Sequence, residues 1–303
     1  MRVLIIGLGS IGRKHVVALN QLDSNIEIYA LRSRAAIDTY LNVINIYEIN
    51  EISDISFAII SNPTSEHKKT IEMLIGYDIP MFIEKPISSD LGIEDLVSTI
   101  ETKKIQTYIA CNLRFLDCIK YVKDRLHNDE NRRLNEVNVY CGSYLPKWRA
   151  EVDFKETYSA RADLGGGVHL DLIHELDYIY WLFGNPNKVI RSFSSQSSLR
   201  ISSFDYANYI LDFDGFCTSV VLNYYRKDSK RNLELVFEDE TWNVDLLTNE
   251  IICNNQIVFS SQQRIADTYK IQLEYFINCL NRRTNTFNTV SNAYDVLKIC
   301  FEK

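Results

Sequence analysis

The sequence predicts an α/β protein of two domains, and three observations support this interpretation. The first 115 residues alternate short apolar runs with amphipathic segments, and a glycine cluster follows the first run. Farther along, the chain becomes rich in alternating apolar and polar residues. Strand–helix alternation with nearly continuous apolar strands indicates a parallel sheet with helices on both faces. We therefore expect a parallel-sheet domain over 1–115 and a second α/β domain over 116–303.

The first domain is predicted to alternate strands with helices. The clearest amphipathic helices span Arg13–Leu22 and Glu66–Ile75. Ligands of open parallel sheets collect at the carboxyl ends of the strands, so the loops after the strands are candidate site positions. The predicted strands are Arg2–Gly7, Ile26–Leu31, Phe57–Ser61, Met81–Glu84 and Thr107–Cys111.

The second domain is predicted to combine helices with an antiparallel meander. Asp214-Gly215 lies between two alternating runs, which is a strong hairpin signal. The predicted order is a helix over 116–126, a strand over Glu136–Gly142, an irregular aromatic and basic stretch over Tyr144–Asp163, a helix over Val168–Phe183, strands over Val189–Phe259, and helices over Ile265–Asn281 and Ser291–Phe301.

Composition limits the possible functions. With 46% hydrophobic and 24% charged residues, the 303-residue chain has the profile of a soluble globular protein. Its net charge of −7 argues against nucleic acid as the main partner, because phosphate binding needs a basic surface. Local basic pockets for small anions remain compatible with this balance.

The seven cysteines are scattered, without a CxxC pair or zinc-like spacing. We therefore expect free thiols in a reducing cytoplasm and no metal site. No apolar stretch approaches the roughly 18–20 residues of a membrane helix. The apolar run before Gly7 is too short for a signal peptide, so a cytoplasmic location is expected.

Gly7, Gly9 and Gly12 form a GxGxxG motif between a strand and a helix. The first glycine permits a tight turn, the second lets the backbone approach a pyrophosphate, and the third lets the helix pack on the strand. The N–H groups at the helix start, at Ser10 and Ile11, can then bind phosphate oxygens. This pattern predicts a dinucleotide site; the alternative is a glycine-rich turn without a ligand.

The end of the second strand usually carries an acidic residue for the ribose 2′-hydroxyl. Here the chain reads Leu31-Arg32-Ser33-Arg34, with no acid. Arg32, Ser33 and Arg34 suit a 2′-phosphate, because guanidinium groups pair well with phosphate oxygens. NADP(H) is favoured and NAD(H) stays open, since these residues can also be solvated loop charges.

Two further segments carry candidate catalytic groups. Lys85 follows the fourth predicted strand, where Lys-Pro is either a simple turn or a cis bond that aims the lysine inward. On the predicted helix, Asp171, His174, Glu175 and Tyr178 share an arc of about 100°. His169 lies on the other side and is interpreted as packing. A histidine beside two carboxylates favours acid–base catalysis over a structural role.

Over essentially the whole chain, these motifs resemble the Gfo/Idh/MocA oxidoreductases. The resemblance implies a Rossmann domain followed by an α/β domain with a large open, mainly antiparallel sheet. It also implies oxidation or reduction of a sugar or cyclitol hydroxyl with NAD(P), and a homodimer or homotetramer formed through that sheet. The matching motifs are the glycine-rich start, Ser61-Asn62-Pro63 with His67, Glu84-Lys85-Pro86, Asn112-Leu113-Arg114-Phe115, and Gly165-Gly166-Gly167 with Asp171, His174, Glu175 and Asp177.

The same resemblance assigns roles to individual residues. Lys85 and His174 are implied as the acid–base pair, with Asp171 as a third catalytic residue. Cofactor contacts are implied for Asn62, Pro63, His67 and Glu84. Arg114 is implied as a substrate-binding residue.

One departure concerns Asp171, which lies three residues before His174, whereas many family members have their acid four before, here Leu170. Members with the closer spacing also resemble this chain over Tyr144–Asp163. Many of them are similar to enzymes of bacterial surface-carbohydrate synthesis. Substrate contacts are therefore expected from Trp148, Arg149, Tyr158 and Arg161.

Two arginines among aromatic residues predict an anionic sugar or nucleotide sugar, because guanidinium pairs with carboxylate or phosphate. The alternative is that Arg149 and Arg161 cap turns or pair with neighbouring acids. Two other functions also stay open. One is an NAD-dependent glycosidase of the same family, and the other is a non-catalytic sugar or nucleotide sensor.

Overall fold

A computed structural model describes residues 1–33, 38–128, 132–149 and 151–301. The chain divides into two compact units. The first contains Met1–Asn112 and Asp267–Leu297, and the second contains Leu113–Ala266 together with the chain from Lys298 onward. This division differs from the predicted one because the segment from Asp267 to Leu297 belongs with the N-terminal residues.

The first unit contains six short strands with helices between them. Four of the strands, those that begin at Arg2, Phe57, Met81 and Thr107, are almost fully buried because both faces of the sheet are covered there. In chain order the elements are β1 (Arg2–Ile6), α1 (Ser10–Leu22), β2 (Glu27–Leu31), β3 (Ile44–Ile46), β4 (Phe57–Ile60), α2 (Thr64–Ile75), β5 (Met81–Ile83), α3 (Glu94–Lys103) and β6 (Thr107–Ile109).

All six strands are parallel and lie in the order β3-β2-β1-β4-β5-β6. The order reverses between β1 and β4, and in open α/β sheets ligands bind beside the carboxyl ends at such a point. The five predicted strands are confirmed. The sixth, β3, was missed because three residues, of which only Ile46 is buried, give no periodic signal.

The C-terminal segment completes the first unit. Helix α7 (Thr268–Arg282) packs against α1, and the Phe276 ring contacts the rings of Phe57 and Phe82. After α7 the backbone of Asn288 accepts a hydrogen bond from the Ile109 amide. This segment therefore contributes to the core and covers the β6 edge, which explains its place in the first unit. Helix α8 (Val290–Phe301) follows it.

The second unit is built on an eight-stranded sheet in the order β14-β13-β12-β11-β7-β10-β9-β8. Every pairing is antiparallel except that of β7 with β10, so the predicted mainly antiparallel sheet is confirmed. Its elements are α4 (Asp117–Asn128), β7 (Leu134–Tyr144), α5 (Val168–Asp171), α6 (His174–Phe183), β8 (Lys188–Ser194), β9 (Tyr206–Phe213), β10 (Phe216–Asn223), β11 (Tyr225–Phe237), β12 (Thr241–Asp245), β13 (Glu250–Cys253) and β14 (Gln256–Ser260).

The two faces of this sheet differ in polarity. One row across the strands is buried and the adjacent row is open, as expected when side chains alternate along each strand. The open row has isoleucines near its ends and polar residues in its centre. The buried row is Leu211, Thr218, Val137, Leu235, Trp242 and Cys253, and the open row is Ile190, Ile210, Ser219, Asn138, Glu234, Asn243 and Ile252.

The predicted continuous helix over 168–183 is wrong in one respect. The chain forms two helices, α5 and α6, and Leu172 between them has a non-helical ψ of 27°. Asp171 ends the first helix and His174 begins the second. Asp171 and His174 therefore do not share one face of a continuous helix, although only two residues separate them in the chain.

Candidate active site

The glycine loop of the first unit is built by close backbone packing. Gly7 has a φ of +101°, and a Cβ there would lie 2.2 Å from the Asn62 nitrogen. A Cβ on Gly12 would lie 2.1 Å from the Gly7 carbonyl oxygen, whereas nothing lies within 4 Å of a Cβ on Gly9. Ser61 donates a hydrogen bond of 2.8 Å to that carbonyl. Gly7 and Gly12 are thus required by the fold, while Gly9 faces open space.

The start of α1 offers backbone donors to an anion. Gly9 is the N-cap residue and provides no side-chain acceptor, and the first turn contains no acidic residue. Orphan N–H groups at a helix N-terminus bind phosphate well, and the helix dipole adds a partial positive charge. Ser10 and Ile11 lie in this first turn, so the loop fits the pyrophosphate of a dinucleotide.

These two glycines provide a matched pair of variants. Gly12→Ala is expected to lower the free energy of unfolding by about 1–3 kcal/mol, because its methyl group overpacks against the Gly7 carbonyl. Gly9→Ala is expected to leave stability unchanged and to weaken NADH and NADPH binding. Thermal unfolding and cofactor fluorescence titration measure the two effects. Unchanged cofactor affinity in Gly9→Ala would contradict the placement of phosphate there.

The end of β2 holds an acid that the sequence analysis missed. Arg32 donates a hydrogen bond of 2.5 Å to Asp38, whose other oxygen lies 3.4 Å from Arg13. The hydrogen bond from Arg32 lowers the pKa of the Asp38 carboxyl. Ser33 is exposed, and Arg34 lies outside the described residues. Asp38 was missed because it lies six positions after Arg32, beyond the residues that directly follow the strand.

The loop after β4 carries Asn62, Pro63 and, on α2, His67. Asn62 donates a hydrogen bond of 2.8 Å to Thr70, and its buried Oδ1 has no hydrogen-bond partner among the described residues. An orphaned buried acceptor is costly, and a carboxamide N–H of a nicotinamide would satisfy it. The Asn62 side chain therefore fits the cofactor group that the glycine loop indicates.

Lys85 lies on the loop after β5, and the Lys85–Pro86 peptide bond is cis. The lysine is half-buried. The Oε1 of Glu84, the residue just before it, lies 2.6 Å from the Nε2 of His15 on α1. Glu84 is thus engaged by a histidine of the first unit. The loops after β1, β4 and β5 all begin at the carboxyl edge of one sheet, on both sides of its reversal point.

In the second unit the three glycines shape the chain before α5. A Cβ on Gly166 would lie 2.0 Å from the Tyr158 carbonyl oxygen, and Gly167 has a φ of +143°. The Tyr158 hydroxyl donates a hydrogen bond of 3.0 Å to the Gly165 carbonyl. Tyr158 thus anchors the irregular segment onto the glycines, which fix the entry to α5 and hence the position of Asp171.

Asp171 belongs to an aromatic cluster. Tyr224, which is fully buried, donates a hydrogen bond of 2.5 Å to the Oδ2 of Asp171. Burial first, and then the nearby Asp171 carboxylate, raise the pKa of the Tyr224 phenol. The Trp148 ring lies perpendicular to the Tyr224 ring at 5.4 Å and is 41% exposed. A carboxylate beside an exposed indole is a suitable environment for a sugar.

The Glu175 carboxylate, next to His174 in the chain, is structural. Arg231 on β11 donates hydrogen bonds of 2.6 and 3.1 Å to Glu175, which is fully buried together with Tyr178. His174 begins α6 and is half-buried. His169 packs among phenylalanine rings as predicted, and burial lowers its pKa to about 4. Glu175 therefore holds α6 on the sheet.

The surroundings of Arg114 favour a structural role over the expected contact with substrate. Arg114 is 1% exposed, and it donates hydrogen bonds of 2.9 and 2.7 Å to the two oxygens of Asp177. Its guanidinium also lies 5.7 Å from the centre of the Trp181 ring. Both donors facing Asp177 are used and the group is closed to solvent, so Arg114 ties α6 to the loop before α4.

Arg149 and Arg161 differ in whether acidic side chains pair with them. Arg161 forms a 2.6 Å ion pair with Asp163 and lies 3.8 Å from Glu156. This is the local pairing that the sequence analysis left open as an alternative. Arg149 is exposed beside Trp148. The Arg161 side chain is itself 40% exposed, so ion pairing and not access to solvent separates the two arginines.

The described part of the chain has neither a metal-binding cluster nor a membrane-spanning helix. No cluster of histidine, cysteine or acidic side chains there could hold a metal ion. None of its helices is long and apolar enough to cross a bilayer.

The glycine loop, the reversal point of the parallel sheet and the orphan amide oxygen define a dinucleotide-binding α/β protein. Residues 1–110 match the oxidoreductase family with an NAD-binding Rossmann fold, and residues 119–242 match the GFO/IDH/MocA C-terminal domain. The chain belongs to the Gfo/Idh/MocA family of NAD-binding oxidoreductases. A comparison with curated proteins found no match.

Three solved structures illustrate the similarity of the fold. UDP-N-acetylglucosamine 3-dehydrogenase from Acidithiobacillus ferrooxidans is 18% identical with a TM-score of 0.79, covering 99% of this chain and 95% of its own. Myo-inositol 2-dehydrogenase from Lactobacillus plantarum has the same identity and coverage with a TM-score of 0.80. A levoglucosan dehydrogenase, in complex with NADH and levoglucosan, is 13% identical with a TM-score of 0.85, over 99% and 95% of the chains.

Proposed function

We propose that this protein is an NAD(P)-dependent oxidoreductase that interconverts a hydroxyl and a keto carbon of a sugar or sugar derivative. The observation that carries the proposal is the Asp171–Tyr224 pair beside the exposed Trp148, just before the helix that begins with His174. An indole face packs well on the C–H face of a sugar ring, while carboxylate and imidazole groups exchange hydroxyl protons. The proteins of similar structure are named as dehydrogenases of a sugar, a nucleotide sugar or a cyclitol, which agrees with this substrate class.

In this proposal the first unit holds the cofactor. The N–H groups of Ser10 and Ile11 bind the pyrophosphate, and Asn62 accepts a hydrogen bond from the nicotinamide amide group. Pro63 lies on the same loop as Asn62, and His67 lies on α2, the helix that follows this loop. When bound, the nicotinamide supplies the acceptor or donor of the hydride. Everything else in the reaction is binding and proton movement by residues of this chain.

His174, assisted by Lys85, exchanges the proton of the substrate hydroxyl. An imidazole titrates near neutral pH, so it can take a hydroxyl proton during oxidation and return it during reduction. The Lys85 ammonium stabilises negative charge that develops on the substrate oxygen. Asp171, fixed by the Tyr224 hydroxyl, accepts a hydrogen bond from a sugar hydroxyl and so orients the ring. The role of Tyr224 could not be read from the sequence because nothing local to position 224 marks it.

The test is a turnover screen with purified protein. Absorbance at the NAD(P)H band is followed with each cofactor across neutral sugars, acidic sugars, cyclitols and nucleotide sugars. Turnover with at least one member, lost in His174→Ala, supports the proposal. Retention of tightly bound cofactor with glycosidic cleavage and no net absorbance change would instead indicate a glycosidase cycle. Absence of any cofactor binding would overturn the proposal.

We expect NADPH to bind more tightly than NADH, with Asp38 limiting the preference. Arg32 and Arg13 present two guanidinium groups to a 2′-phosphate, but Asp38 neutralises part of that charge. Asp38→Asn should increase the NADPH-to-NADH affinity ratio by about fivefold, since an exposed ion pair contributes up to ~1 kcal/mol. Arg32→Asp should reduce or invert the ratio. Equal affinities of the unmodified protein for both cofactors would refute the preference.

We also propose that the substrate carries a carboxylate or a phosphate that Arg149 binds. Arg149→Met should raise the substrate KM by about tenfold or more, because a hydrogen bond to a charged group contributes about 1.5–3 kcal/mol. Arg161→Met is the matched control and should change KM little, since Asp163 already engages that guanidinium. KM is measured at low and high salt for both variants. A neutral sugar turned over as well as any anionic one would sink this prediction.

A further inference from the structure

Two buried histidines of the first unit contact the residues on either side of Lys85. His15 on α1 is fully buried and reaches Glu84, the residue before the lysine. His67 on α2 is 1% exposed and reaches the carbonyl of Pro86, the residue after it. Neither contact involves the lysine itself. We propose that His15 and His67 are positioning residues that together fix the direction of Lys85.

The His15 contact holds the chain before the lysine. Its Nε2 lies 2.6 Å from Glu84 Oε1, and its Nδ1 is buried with no hydrogen-bond partner among the described residues. A hydrogen on Nδ1 would be left unsatisfied, so the hydrogen sits on Nε2 and is donated to the carboxylate. The ring edge packs on Phe82 at 5.1 Å, and the Glu84 amide bonds to the Ile60 carbonyl. Glu84 is therefore fixed through both backbone and side chain.

The His67 contact holds the chain after the lysine. Nδ1 lies 3.0 Å from the Pro86 carbonyl oxygen and Nε2 lies 3.1 Å from the Asn62 carbonyl oxygen. Burial lowers the pKa of His67, so the neutral ring has one N–H to donate to two acceptors. The Pro86 contact is the more deeply buried, and an unpaired carbonyl costs most there. We therefore assign the hydrogen to Nδ1, from which it is donated to the Pro86 carbonyl.

The two contacts determine how well the Lys85 ammonium is placed. Lysine has four rotatable side-chain bonds, so its ammonium is placed well only if the backbone that carries it is fixed. With Glu84 held by α1 and Pro86 by α2, the Cα–Cβ direction of Lys85 is set by two helices rather than by its loop. Misplacing a catalytic group by about 1 Å costs about 100-fold in rate. This inference rests on the proposed role of Lys85.

The experiment measures the reactivity of Lys85 without needing a substrate. Full-length protein is acetylated with acetic anhydride, and mass spectrometry gives the rate at Lys85 relative to Lys68 and Lys69 on α2. His67→Asn keeps a donor where Nδ1 stood, towards Pro86, whereas His67→Gln keeps one where Nε2 stood. His15→Gln likewise keeps the donor to Glu84 and His15→Met removes it. His127→Gln, an exposed histidine on α4, is the control.

We expect the Lys85 rate to rise at least about threefold in His67→Gln and His15→Met, because the loop opens more readily. It should stay near the parent value in His67→Asn, His15→Gln and His127→Gln. On the true substrate, kcat should fall by about 100-fold in the first two variants while the substrate KM stays within about threefold. Thermal unfolding identifies any variant that has lost its fold, and the Asn and Gln variants of His67 remain comparable in size.

The outcomes separate this inference from the proposed function. Equal Lys85 reactivity in folded His67→Gln and His67→Asn, and in both His15 variants, would overturn the positioning role. If reactivity changes as expected but Lys85→Ala turns over normally, the histidines position the lysine and the proposed catalytic role of Lys85 fails. If both kcat and reactivity follow the pattern, both are supported.

Discussion

Replacing His174 with alanine is expected to lower kcat by about 10²–10⁴-fold and to leave the Kd of the cofactor within about threefold. The imidazole is the group proposed to exchange the substrate hydroxyl proton, and it belongs to the second unit, whereas the glycine loop belongs to the first. Its loss should therefore affect the chemical step and not cofactor affinity. Stopped-flow absorbance gives kcat, and NAD(P)H fluorescence gives Kd.

The companion variants sharpen this prediction. Lys85→Ala should reduce kcat to a similar extent, and Tyr224→Phe should reduce it less, because Asp171 then loses only its orienting hydrogen bond. His169→Phe serves as a control, since His169 packs among aromatic rings. Near-normal turnover of His174→Ala on the true substrate would mean that this histidine is structural.

Arg114→Met is expected to destabilise the protein by about 3–5 kcal/mol, with little effect on the substrate KM of the folded fraction. The change leaves the Asp177 carboxylate buried and without its two hydrogen bonds from Arg114. An uncompensated buried charge is far more costly than the pair itself contributes. Urea unfolding, followed by the intrinsic tryptophan fluorescence of the protein, measures the loss.

A second substitution separates charge burial from packing. Combining Arg114→Met with Asp177→Leu removes both charges and should recover a large part of the lost stability, since buried pairs are often replaceable by apolar residues. A stable Arg114→Met protein with a strongly raised KM would restore the substrate-binding role that its burial now argues against. The two readouts therefore point in opposite directions for the two roles.

The parts of the site predicted well from sequence are those encoded by neighbouring residues. Gly7, Gly9 and Gly12 lie within one turn, and their packing follows from their spacing. The Glu84-Lys85-Pro86 motif likewise lies directly after a strand. Local backbone geometry leaves a signature in consecutive residues, so it can be recognised without knowledge of the fold.

Pairings between distant residues could not be predicted. Arg114 and Asp177 are 63 positions apart, and Tyr224 and Asp171 are 53 apart, so neither contact leaves a local pattern. The break at Leu172 was also hidden, because an apolar stripe continues through it at helical spacing. Tertiary contacts decide such features, and helix periodicity carries no information about them.

The discontinuous first unit also constrains how the nascent chain folds. Phe276, which packs on Phe57 and Phe82, is synthesised more than 160 residues after the last strand of that sheet. The parallel sheet can collapse early on the ribosome, but its core stays incomplete until α7 has emerged, after the whole eight-stranded sheet. A truncated product ending near residue 115 would expose these aromatic rings and aggregate. A minimal cofactor-binding module would instead join 1–112 directly to 267–297.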